Sequence, residues 1–112
     1  KLKSNIGMKV LRQGEESYQA LLDAGSNWYE AKNTMEFYLL EGRAVEILIT
    51  SLTGKGNRIA RIVPEELQEG IIRLRISVEM RDDTHLKVEL EDLGFGTFRA
   101  ATHHIWKEEI KL

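Results

Sequence analysis

The feature that most limits what this chain can fold into lies in its last third. Ile72, Leu74, Ile76, Val78 and Met80 alternate with Arg73, Arg75, Ser77 and Glu79. After the polar turn Arg81-Asp82-Asp83, Leu86, Val88 and Leu90 alternate with His85, Lys87, Glu89 and Glu91. Side chains of a strand point to opposite faces with period two, so each run has one apolar and one charged face. Two such runs joined by a short polar turn predict an antiparallel hairpin over residues 72–80 and 84–91, with one side on a core and the other in water. Leu74, Ile76, Val78, Leu86 and Val88 are its expected buried residues. A chain organised around this hairpin must cover its apolar side with a second layer.

The rest of the sequence supplies that layer as further strands. Glycine occurs nine times and proline once, at Pro64, and together they punctuate the chain. Between these signals lie short apolar stretches at 6–11, 17–23, 34–39, 45–51, 58–63 and 105–112, which with the hairpin give about eight strands. Strands of this length and spacing predict an all-β fold, a two-sheet antiparallel sandwich. Residues 15–24 also read as helix by propensity, being rich in Ala, Leu, Glu and Gln, with Gly25 placed as a C-cap. The 64–70 connection, with Pro first and Gly last, predicts one helical turn.

At 112 residues the chain is the size of a single domain, 1–112. A formal net charge of −2 with both signs interspersed offers no basic stripe for nucleic acid. No apolar run is long enough to span a membrane. The absence of cysteine removes disulfides, thiolate metal sites and cysteine nucleophiles, and is compatible with a reducing cytoplasm. A start on Lys1 rather than Met points to a segment of a longer protein.

A phosphate loop at Gly54-Lys55-Gly56 would need glycine in place of Ile49 and Ser or Thr in place of Gly56, so this segment reads as a turn. Asp92-Leu93-Gly94 resembles a kinase metal-binding triplet without the rest of that set; Gly94 and Gly96 read better as a tight bend carrying Phe95 and Phe98. His103 and His104, read as strand neighbours, point to opposite faces and leave at most one toward a metal. Trp28, Tyr29 and Trp106 read as core or edge covers, with a carbohydrate-binding surface as the alternative. No nucleophile–base pair and no metal spacing stands out, so the expectation is a domain that is not an enzyme and holds no metal or other cofactor.

Read in order, these segments resemble the β-sandwich substrate-binding domain of the seventy-kilodalton heat-shock chaperones, the DnaK-like family. Leu21-Leu22 through Trp28-Tyr29-Glu30 resembles the family's second-strand region and the extended segment after it. Val45-Glu46-Ile47-Leu48-Ile49, leading to Gly54 and Gly56, resembles its Val-x-Ile-x-Val strand and glycine turn. Residues 57–64 loosely resemble the bend that follows, residues 72–96 its alternating hairpin and small polar loop, and residues 107–112 its closing strand. The likeness spans nearly the whole chain.

The resemblance implies eight strands in two stacked four-stranded sheets, and a peptide-binding module of a molecular chaperone in a cytoplasmic, bacterial-type setting. It implies an upstream ATPase domain in the parent protein, so ATP is expected there and not here. The implied partner is unfolded or extended polypeptide, held by backbone hydrogen bonds and one aliphatic pocket. By resemblance the pocket is made of Val45 and Ile47, with Leu11, Phe37 and Leu40 at its walls and Gln13 in the loop arching over it. The plain alternative makes the apolar members ordinary core residues. Two departures stand out: the 12–16 loop, Arg12-Gln13-Gly14-Glu15-Glu16, is charged, and the 40–44 loop is short. They favour a rival reading, a divergent sandwich that has lost the groove and serves as an interaction or scaffolding domain.

Overall fold

The computed structural model of the chain describes residues 1–12, 14–51 and 53–112, with the side chains of Leu11 and Arg12 outside that description. It contains β1 (Ser4–Arg12), β2 (Glu15–Leu22), β3 (Lys32–Leu39), β4 (Val45–Ser51), β5 (Arg58–Ile62), β6 (Ile72–Met80), β7 (His85–Asp92) and β8 (Ile105–Lys111). One sheet has the order β2-β1-β4-β5 and the other β3-β6-β7-β8, and every pairing is antiparallel. The shortest dimension, 19 Å against 43 and 28 Å, fits two sheets packed at about 10 Å with side chains on the outside. The protein is a two-sheet β-sandwich of eight strands.

The β6–β7 hairpin forms as its alternation requires. Ile76 pairs with Leu90, Val78 with Val88 and Met80 with Leu86, and all six are buried. Ile6 and Met8 of β1 and Val45, Ile47 and Ile49 of β4 cover them from the other sheet. Burial of each such side chain contributes about 1.5–3 kcal/mol.

Residues 15–22 are strand, not helix. β2 pairs with β1, but the register shifts so that Ile6 faces Leu22 and Gly7 faces Ala20, leaving Leu21 as the extra residue of a bulge. Both Leu21 and Leu22 are therefore buried, which breaks the period-two pattern and makes the segment look helical in the sequence. On the outer face the Tyr18 ring lies over Gly7, at a place where any Cβ on residue 7 would collide with it. Burial first, and then the charge of Asp23, push the Tyr18 hydroxyl above its ordinary pKa.

Three local expectations are corrected. Residues 64–70 make a β-turn instead of a helical turn: the Leu67 N–H donates to the Pro64 carbonyl at 3.3 Å, and Glu66 is left-handed at φ 63°. A left-handed third position closes a type II turn and cannot propagate a helix. Trp28–Glu30 forms a single 3-10 turn where an extended segment was expected. His103 and His104 precede β8, and His103 is itself left-handed at φ 57°, so strand alternation does not govern them.

Candidate functional site

The ladder between β1 and β4 stops short. It runs from Ser4↔Ser51 to Met8↔Ile47, yet β1 continues to Arg12 and β4 begins at Val45. Lys9 and Val10 thus lie across from Val45 and Glu46 outside the described ladder, and these four residues line a cleft of about 260 Å³. β3 of the other sheet closes it with Phe37, Tyr38 and Leu39, and Leu40 and Ala44 complete it from the β3–β4 loop. The apolar side chains come from alternate positions: Met8 and Val10 on β1, Phe37 and Leu39 on β3, Val45 on β4. Among the described residues, Glu16, Glu41 and Glu46 on the rim outnumber one cation, Lys9, which makes the described lining apolar inside and acidic at its mouth.

This cleft brings together three of the residues singled out in the sequence. Phe37 and Val45 are nearly buried at its base, and Leu40, 43% exposed, stands at its lip. Ile47 does not line it; at 0% exposure it belongs to the core, facing Met8. Gln13 and the side chain of Leu11 lie outside the described residues. Sequence reasoning missed Met8, Val10, Tyr38 and Leu39. The Ile6, Met8, Val10 alternation is a signal for the first two, but nothing local reveals that β1 and β4 stop pairing beyond Met8 and Ile47.

Two other depressions differ in chemistry. One of about 440 Å³ lies on the outer face of the second sheet, over Lys32, Thr34, Ser77, Glu79, Lys87 and Glu89. That face is a lattice of cross-strand charges. Arg75 reaches Glu91 at 2.9 Å and Glu36 at 3.4 Å, and the His103 imidazole meets the second oxygen of Glu91 at 2.9 Å. The His103 hydrogen bond, then Arg75, hold the Glu91 carboxyl below its ordinary pKa. The lattice makes this a solvated face that discourages apolar contact.

The other, about 410 Å³, opens between the β5–β6 and β7–β8 connections, beside Glu65, Arg99, His104 and Trp106. The Trp106 indole N–H donates to the Glu65 carbonyl at 2.9 Å, and Arg99 donates to the carbonyls of Gln68 and Gly70 at 3.0 and 3.4 Å. Buried Asp92 accepts from the Gly94 N–H and the Thr102 hydroxyl, each at 2.7 Å. These polar groups are consumed in tying the two connections together.

Among the described residues no group of three or more His, Cys, Asp or Glu side chains is placed to hold a metal. His103 is engaged with Glu91, and His104 packs edge-on against Trp106 at 4.8 Å between ring centroids. Among the described residues no helix is long and apolar enough to cross a membrane.

The first cleft is therefore the arrangement best suited to a ligand: apolar walls beside two strand margins, with an acidic rim. Neither the curated proteins nor the solved structures contain a match to the chain. Over residues 1–112 the chain matches the family described as Domain of unknown function (DUF8552), and it belongs to that family.

Proposed function

We propose that this domain binds extended apolar polypeptide, as the peptide-binding module of a DnaK-like molecular chaperone. The observation that carries the reading is the unladdered margin of β1 beside the cleft lined by Val10, Phe37, Leu40 and Val45. Backbone N–H and C=O groups at a strand margin bind an extended chain without regard to sequence, and an apolar pocket next to them selects aliphatic side chains. Two four-stranded sheets also agree with the arrangement that the resemblance implies. In this proposal an upstream ATPase domain of the parent protein controls the affinity, and the setting is cytoplasmic. The excess of Glu over Lys on the rim favours peptides with basic flanks, an attraction that weakens with salt.

One observation favours the rival, an interaction or scaffolding domain without a working groove. Ile47 and Val45 are buried at 0% and 2% exposure, so the inner part of the expected pocket is already filled by core packing. Fluorescence anisotropy with a labelled Leu-rich peptide flanked by lysines separates the two. The proposal expects saturable binding, lost in Val45→Phe while the domain stays folded, since overpacking costs about 1–3 kcal/mol. A folded domain that shows no saturable binding at high micromolar concentration transfers the conclusion to the rival.

A further inference from the structure

The proposed cleft opens onto a second apolar surface. Tyr38, Leu40, Ile71 and Phe98 are 52, 43, 41 and 87% exposed, although large apolar groups usually avoid such contact with water. They meet at one end of the second sheet. Leu40 and Ile71 are the residues just beyond the Leu39↔Ile72 pair. The Arg73 N–H donates to the Gly94 carbonyl, which sets the 94–99 turn beside Arg73, the partner of Tyr38. Tyr38, Phe95 and Phe98 then form a chain of rings, with centroids 6.0 and 5.9 Å apart. Tyr38 and Leu40 also line the cleft, so the two surfaces are continuous.

We infer that this patch is a second docking surface for the same polypeptide, receiving an aromatic or aliphatic side chain downstream of the segment held in the cleft. This rests on the proposed function above. A strand advances about 3.3 Å per residue, so the ring chain corresponds to about four further residues. Charge orders the ligand as well. The cleft end is rich in Glu, with Glu16, Glu41 and Glu46 at its mouth, so the basic flank of the ligand lies there and the apolar part runs on toward the patch. The ligand class is basic at one end, apolar in the middle and aromatic at the other.

Two labelled peptides test this by anisotropy: a short basic-flanked Leu-rich one, and the same peptide extended by about four residues ending in Phe. Wild-type protein binds the longer one about 10-fold more tightly, the scale of one aromatic anchor. Phe98→Ser, at a site exposed enough to leave the fold intact by circular dichroism, removes that gap, and Ile71→Ser narrows it. Equal affinities in the wild type, or a gap that survives Phe98→Ser, overturn the inference while binding of the short peptide upholds the cleft. If neither peptide saturates, both readings fall. Sedimentation showing a dimer that Phe98→Ser dissociates makes the patch a self-contact and overturns the inference.

Discussion

Gly7→Ala tests how the outer face of the first sheet is built. Gly7 is not among the residues with positive φ, so its backbone accepts alanine, and only space is at issue. A Cβ there would come within 3.0 Å of the far end of the Tyr18 ring, whereas carbon contacts settle at about 3.5–4.0 Å. Tyr18 is 49% exposed, so the ring can swing outward while the sheet stays intact. It then gives up about half of the roughly 200 Å² that a tyrosine can bury, worth about 2.5 kcal/mol at ~25 cal/mol/Å². The stiffer unfolded chain of the alanine variant offsets about 0.4–1 kcal/mol. The net loss is about 1–2 kcal/mol, a fall in melting temperature of roughly 5–10 °C.

A second readout follows the ring itself. Burial and Asp23 raise the Tyr18 pKa, so its proton is held more tightly in the folded state, and stability falls as pH rises through that folded pKa above about 10. In Gly7→Ala the ring is in water, the pKa returns toward its ordinary value and this alkaline loss shrinks. Thermal unfolding across alkaline pH and ultraviolet phenol titration, with Tyr18→Phe to identify the transition, measure both effects. A Gly7→Ala protein that is more stable than wild type, with the Tyr18 titration unmoved, would show that the ring does not occupy the space over residue 7.

Val78→Asp places a carboxylate at a 2% exposed position opposite Val88, and it should abolish folding by circular dichroism. Gly94→Ala should cost far more than Gly96→Ala in chemical denaturation: both have positive φ, at 69° and 54°, but only at Gly94 would a Cβ run into backbone atoms of residues 99–101. At Asp82 the Thr84 backbone N–H and then the His85 side chain hold the carboxyl well below its ordinary pKa. A depressed folded pKa gives stability that is present above about pH 4 and lost as pH falls below it. Asp82→Ala should thus lower the melting temperature at neutral pH and flatten its fall on acidification.

Legibility in the sequence follows the physics of each element. β4 and β6 were readable to the residue because their inward faces carry Val, Ile, Leu and Met in strict alternation under a covering sheet. β2 was ambiguous because its bulge buries Leu21 and Leu22 in succession, and Ala and Gln carry a helical propensity that pairing with β1 overrides. The turn at Pro64 is ambiguous in the sequence because proline with a following glycine also marks a short helical turn; the left-handed Glu66 decides for the turn. Of the site, Phe37, Leu40 and Val45 were found through resemblance. The cleft itself arises because β1 and β4 stop pairing after Met8↔Ile47 although both strands continue, and the aromatic patch joins Tyr38 to Phe95, 57 positions later, which no local pattern encodes.

In the proposed function an extended chain enters the gap between β1 and β4. Amide chemical shifts of labelled protein titrated with the basic-flanked Leu-rich peptide test it directly. The largest shifts are expected at Lys9, Val10, Val45 and Glu46, with slowed exchange at those of the four whose N–H turns into the gap and not toward β2 or β5, and no comparable response in Val45→Phe. Saturable shifts confined to β8 or to the charged outer face of the second sheet, with those four amides unmoved, would contradict it.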